Sequence, residues 1–87
     1  MNTDNGYGYV VSKLAENEDQ RLYGIFGYCA SADEPPSYYT EANALACFLD
    51  PVKAILMAHR REQEWSTVYG VYVHSFVLRD ALKGYKP

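Results

Sequence analysis

The sequence predicts an α+β domain in which two strands, a helix and a third strand follow one another. Three observations predict it. Segments 7–14 and 21–29 are rich in aromatic and aliphatic residues, which favour strands. Apolar residues then recur every three or four positions over about 40–64, the spacing of an amphipathic helix. Valine, tyrosine and phenylalanine return over 68–78 and predict the last strand.

Polar and proline-containing segments separate these elements. Residues 16–20, all polar or charged, predict the loop of a hairpin between the first two strands. The segment 33–37 contains two prolines and ends that hairpin. Thr40 is suited to cap the helix. Asp50 and Pro51 interrupt the helical pattern, so we expect one kinked helix or two abutting ones, with Asp50 capping the restart.

The simplest arrangement is one domain over residues 1–87, with a three-stranded antiparallel sheet and the helix packed on one face. It places the third strand beside the first and leaves the other sheet face uncovered. The residues predicted to face the helix are Val10, Leu14, Leu22, Phe26, Val71, Val73 and Val77. Those predicted to face outward are Tyr7, Tyr9, Tyr23, Ile25, Tyr72, His74 and Phe76. Because side chains alternate, a register error of one residue would exchange the two sets.

Glycine follows an aromatic residue repeatedly in the predicted strands. The pairs are Tyr7-Gly8, Tyr23-Gly24, Phe26-Gly27 and Tyr69-Gly70. They predict bulges and aromatic rings lying over glycines. The alternative is a surface where a ligand approaches the backbone closely.

Composition excludes several classes of protein. A hydrophobic content of 48% argues against disorder, and a net charge of −3 argues against nonspecific nucleic-acid binding. No segment approaches the roughly 20 apolar residues of a membrane helix, and the first residues do not resemble a secretory signal. Two cysteines are too few for a disulfide framework. We therefore expect a cytoplasmic protein that contacts neither membranes nor nucleic acid directly.

Charge is distributed unevenly along the chain. Residues 1–50 carry eight acidic and two basic side chains, whereas residues 51–87 carry three acidic and six basic ones. The predicted loops hold Glu16, Glu18, Asp19, Asp33 and Glu34. Such a set either keeps the protein soluble or steers it towards a partner with a basic surface.

The sequence contains only weak matches to nucleic-acid-binding, metal-binding and catalytic motifs. Residues 21–28 follow part of the RNA-recognition signature, but Leu22 and Ile25 replace its glycine and a base-stacking aromatic. The candidate zinc ligands Cys29, Cys47, His59 and His74 lie at least 12 positions apart, unlike the close pairs of structural zinc sites. We therefore predict no metal, no cofactor and no catalytic residues. A small enzyme or ligand carrier using Cys47, His59 or His74 remains an alternative.

This small, acidic chain, with nine tyrosines, resembles the loose class of phage-encoded inhibitors that includes anti-CRISPR proteins. The resemblance implies a non-enzymatic protein that occludes a surface of a larger nucleic-acid-handling host protein. The predicted anchors are Tyr7, Tyr9, Tyr23 and Tyr72, with steering by Glu16, Glu18, Asp19, Asp33 and Glu34. The alternative is a self-associating homodimer or assembly subunit that pairs through the open sheet face or an edge strand.

Overall fold

The computed structural model describes residues 7–15, 22–29, 36–64 and 68–83, with the side chains of all of them except Tyr7, Cys29, Val68 and Tyr69. In chain order the elements are β1 (Tyr7–Lys13), β2 (Tyr23–Cys29), β3 (Ala46–Phe48), α1 (Pro51–Glu64), β4 (Val68–Val73) and α2 (Ser75–Leu82). Two short 3₁₀ turns, Pro36–Tyr38 and Glu41–Asn43, precede β3. The predicted α+β class is confirmed.

The sheet has four strands in the order β3-β2-β1-β4 and is mixed. The predicted hairpin is confirmed, since β1 and β2 pair antiparallel with Val10 opposite Phe26. β4 lies beside β1, as predicted for the last strand, but the two run parallel. The three-stranded antiparallel prediction is wrong because β3 adds a strand antiparallel to β2. β3 and β4 therefore both run parallel to β1, and α1 lies in the crossover that connects them.

The predicted helix over 40–64 is wrong in its first part, which forms a turn and then β3. The backbone N–H of Leu45 donates to the carbonyl of Ile25 at 2.7 Å, which joins this part to the sheet. The predicted restart is confirmed. The Asp50 Oδ1 accepts from the N–H of Val52 at 3.0 Å, and Pro51 occupies the first helical position. A residue before proline avoids helical geometry, so the helical pattern cannot continue through Asp50.

The predicted strand over 68–78 ends at Val73, and the rest of it is helical. The His74 N–H makes a last bond to the Val11 carbonyl at 3.2 Å. The His74 carbonyl then accepts from the N–H groups of Val77 and Leu78, at 2.9 and 3.1 Å, and α2 begins. The composition of this segment suits a strand, but its pairing with β1 ends where Val73 lies opposite Val11. Burial of Val77 against α1 favours the helix instead.

Both faces of the sheet are covered, so the predicted open face is wrong. On the side of the helices, the buried residues are Tyr9, Val11, Tyr23, Ile25, Ala54, Ala58 and Val77, with Val71, Val73 and Phe76 packed against them. On the opposite side, the buried residues are Val10, Leu14, Phe26 and Tyr39, with Leu22 packed against them. The predicted faces of β1 and β2 are therefore exchanged. Strands buried on both faces carry apolar residues at adjacent positions, so alternation cannot tell the faces apart.

Aromatic rings lie over Gly8 and Gly24, as predicted, but none of the described rings lies over Gly27, and β1 and β2 pair without the bulges predicted at these three glycines. A Cβ on Gly8 would meet the Tyr28 ring of the neighbouring strand at 2.5 Å, and one on Gly24 would meet the Phe26 ring at 2.7 Å. Gly70 has a φ of 118° where the register between β1 and β4 shifts, so the predicted bulge occurs there.

Candidate binding surfaces

The predicted tyrosine anchors do not share one open surface. Tyr9 is 8% exposed and Tyr23 is 3% exposed, both in the core beneath the helices. Tyr72 is 54% exposed and neighbours Val10 across the strand pair. The Tyr7 side chain lies outside the described part of the chain. So do the predicted steering residues Glu16, Glu18, Asp19, Asp33 and Glu34. Tyr9 and Tyr23 therefore stabilise the fold rather than present an interface.

Asp80 of α2 forms a polar link between that helix and the two central strands. Its side chain is 14% exposed, and its Oδ2 lies 2.6 Å from the Lys13 Nζ and accepts from the Tyr23 hydroxyl at 2.7 Å. These two hydrogen bonds, that of Lys13 first, lower the pKa of Asp80 from its ordinary value. A charge-assisted network at this depth positions α2 over the sheet. It also fixes the Lys13 ammonium at the end of β1.

His74 lies among aromatic rings where β4 passes into α2. Its ring stacks on Phe76, with centroids 5.2 Å apart, and meets the rings of Tyr39 and Tyr72 edge-on at 5.1 Å each. Its Nε2 is buried and has no hydrogen-bond partner within the described residues. Burial lowers the pKa of His74, because a charged imidazole loses its hydration there. The imidazole is therefore neutral at pH 7.

We expect the free energy of unfolding to fall as the pH is lowered. The titration of His74 should cause the first decrease and that of Asp80 the second. Both groups have a lowered pKa in the folded protein, so the unfolded chain binds protons at a higher pH. The free energy of unfolding should drop below about pH 6.5, by at most ~1.4 kcal/mol per pH unit for one group. A second drop should begin near pH 4. Urea unfolding at a series of pH values measures both.

Two variants distinguish the sources of this pH dependence. His74→Phe keeps a ring in the cluster and should remove the first drop while leaving the second. His59→Gln is the matched control, because His59 is half-exposed on α1, where its Nδ1 lies 3.4 Å from the Glu62 Oε1. An unchanged slope between pH 5 and 7 in His74→Phe would contradict the assignment to His74.

The candidate reactive residues Cys47, His59 and His74 do not form one site. Cys47 lies in β3 at one sheet edge, and His74 follows β4 at the opposite edge. Three strand spacings, roughly 14 Å, separate these edges. Partial burial, and then the Glu41 carboxylate, raise the pKa of the Cys47 thiol, which opposes formation of a nucleophilic thiolate. Within the described residues, no three potential metal ligands come together.

Large apolar side chains are exposed at the start of α1. Leu49 is 72% exposed, Leu56 is 63% exposed and Val52 is 44% exposed. Val52 and Leu56 lie four positions apart on one helix face, and Leu49 directly precedes the capping Asp50. We call Leu49, Val52 and Leu56 the leucine surface. Two further leucines, Leu78 and Leu82, are exposed on α2.

Sequence reasoning missed the leucine surface because it assigned the apolar residues over 40–64 to one stripe of an amphipathic helix packed on the sheet. The residues of α1 that are buried against the sheet are Ala54 and Ala58. Small side chains four positions apart let the helix approach the strands closely, and this turns the larger aliphatic residues outward. The pair of alanines was the available signal for the buried face of α1. A pattern of apolar residues at helical spacing nevertheless predicts leucine rather than alanine in the core.

A pocket of about 410 Å³ opens beside His74. Apolar atoms form most of its lining, which includes residues 12–15, Pro36, Tyr39, His74 and Phe76. Comparison with protein-family models, with curated proteins and with solved structures finds no match to this chain. Neither described helix has the length and hydropathy to cross a membrane. The fold, the leucine surface and this pocket are therefore the basis for a functional proposal.

Proposed function

We propose that this protein is a small non-enzymatic binding module that occludes a surface of a larger protein through its leucine surface. The observation that carries the proposal is the exposure of Val52 and Leu56, four positions apart on α1, together with that of Leu49 just before the helix. Single exposed leucines are common, but adjoining ones are typical of interaction surfaces. Burial of each against a partner contributes about 1.5–3 kcal/mol to binding.

The class of partner follows from the charge pattern of the sequence. The chain carries its acidic excess in residues 1–50, including Glu16, Glu18, Asp19, Asp33 and Glu34. That excess supports a partner with a basic surface, such as a nucleic-acid-handling host protein. Complementary charge raises the association rate, so added salt should slow binding. The phage-inhibitor class proposed from the sequence rests on this charge pattern and on chain size.

We expect the variant Leu49→Ser/Leu56→Ser to lose its protein partner. The tagged wild type, this variant and Leu82→Ser are compared by capture from lysate of the source cell, and the captured protein is then purified for titration. Loss of two buried leucines should weaken binding at least about 100-fold. Leu82→Ser is the control, because Leu82 is 64% exposed but lies on α2, outside the leucine surface.

Two outcomes would contradict the proposal. Equal affinity of the double variant and the wild type would show that the leucine surface is not the contact. No captured protein, together with light scattering that shows a dimer lost in the double variant, would instead assign the surface to self-association. Tyr23→Ala does not test this contact, because Tyr23 is buried and the variant would report on folding.

A further inference from the structure

The 410 Å³ pocket has the size of a small-molecule site and lies apart from the leucine surface. Sites for small ligands span roughly 300–1,000 Å³ and are lined mainly by apolar groups with few polar ones. Lys13, Leu14 and Ala15 form one wall, Pro36 and Tyr39 a second, and His74 and Phe76 a third. The pocket therefore meets the first requirement for binding a small ligand.

Three of the described residues that line this pocket are aromatic: Tyr39, His74 and Phe76. Tyr39 meets His74 edge-on at an interplanar angle of 84°, and Phe76 stacks on His74 at 19°. The imidazole is neutral at pH 7, so it adds no charge to this wall. Rings held by such contacts present fixed apolar surface at little entropic cost on binding. The walls therefore suit an apolar, planar group.

Two backbone N–H groups and one hydroxyl group of the described pocket lining already donate hydrogen bonds within the protein. The N–H of Leu14 donates to the Leu22 carbonyl at 3.0 Å, and the N–H of Ala15 donates to the Tyr39 carbonyl at 2.8 Å. The Ser12 hydroxyl donates to the Lys13 carbonyl at 3.0 Å. These groups are not available to a ligand.

Among the described residues that line the pocket, Lys13 carries the charge, on its ammonium group. It has three N–H donors, and Asp80 accepts from one of them. Its side chain is 35% exposed, and its Nζ lies 5.8 Å from the centre of the Phe76 ring. The Asp80 pair holds the ammonium in place, next to the aromatic wall. An anionic group at this position would accept charge-assisted hydrogen bonds from the remaining donors.

We propose that this pocket binds a small aromatic carboxylate. The aromatic ring lies against Tyr39, His74 and Phe76, and the carboxylate accepts from the Lys13 Nζ. Charge complementarity selects the anion, and the apolar walls select the ring. This proposal goes beyond the protein-binding function and does not depend on it, since the two sites share no residue.

Three probes that share one ring system test the selectivity: naphthoate, naphthalenemethanol and naphthalenemethylamine, all substituted at the same ring position. Each is titrated into the isotopically labelled protein and followed by amide chemical shifts. Naphthoate should shift residues 12–15, 39, 74 and 76, and should bind at least about tenfold more tightly than the alcohol. The amine should be excluded by the Lys13 ammonium.

Substitutions of Lys13 test whether its ammonium group contacts the carboxylate of the ligand. Lys13→Met should reduce naphthoate affinity to that of the alcohol, and Lys13→Arg should restore the preference. Lys83→Met is the matched control, because Lys83 also approaches Asp80, at 3.9 Å, but does not line the pocket. If Lys13→Met fails to fold, Ala15→Trp takes its place. Ala15 is exposed and lines the pocket, so a large side chain there should block all probes.

The proposal is overturned by any of three results. These are the absence of shifts with millimolar naphthoate, equal affinity for the acid and the alcohol, or an unchanged preference in Lys13→Met.

Discussion

Replacing Phe26 with alanine is expected to lower the free energy of unfolding by about 3–5 kcal/mol, the usual cost of removing a buried phenylalanine. The Phe26 side chain is fully buried on the sheet face opposite the helices. Its ring lies 5.0 Å from the ring of Tyr39 and 5.8 Å from that of Tyr38. A loss of this size is a large part of the roughly 5–15 kcal/mol that stabilises a typical domain. Chemical denaturation followed by circular dichroism measures it.

This experiment also tests whether the second sheet face is covered. The turn Pro36–Tyr38 closes that face, and the Tyr38 hydroxyl donates to the Gly27 carbonyl at 3.0 Å. Leu49→Ala is the control, because it removes a similar apolar side chain that is 72% exposed. That control should change stability by less than about 0.5 kcal/mol. A similarly small loss in Phe26→Ala would mean that the face is open.

Gly24→Ala is expected to destabilise the protein by about 1–3 kcal/mol through overpacking. The new Cβ would lie 2.7 Å from Phe26 Cε2 and 3.1 Å from Leu14 Cδ2. Both side chains are buried almost completely, so neither can move away without disturbing the core. Equilibrium denaturation in urea gives the change, and the unchanged slope of the transition would show that the native fold persists.

A glycine three positions further along β2 provides the matched control. A Cβ on Gly27 would meet no atom within 4 Å, so Gly27→Ala should be neutral or slightly stabilising. A double variant adds a second test. In a Phe26→Leu background the cost of Gly24→Ala should shrink, since the ring that obstructs the methyl group is gone. Equal costs in the two backgrounds would show that the Phe26 ring is not the obstacle.

The candidate site was only partly predictable from the sequence. His74 was singled out as a ligand-carrier residue, and it lines the pocket. The roles of Lys13 and Tyr39 depend on contacts across more than 20 positions of the chain, such as that of Lys13 with Asp80. No local pattern reports contacts of that kind. Two of the predicted anchors, Tyr9 and Tyr23, are buried for a related reason, because an amphipathic side chain suits both a core and an interface.

The features that local sequence patterns predict correctly are those encoded by neighbouring residues. These are the strands β1 and β2, their antiparallel pairing and the start of α1 at Asp50-Pro51. Strand propensity, polar loops and helix caps act within a few positions, so they can be read locally.

The other features depend on contacts between distant segments. They are the added strand β3, the direction of β4, the helical state of 75–82 and which residues face the helices. Residues 75–78 suit a strand, yet they become helical because the helix buries Val77 against α1. Tyr9 and Val10 are both buried because both sheet faces are covered. The face to which a residue turns depends on what covers each side of the sheet, and distant segments of the chain supply that cover.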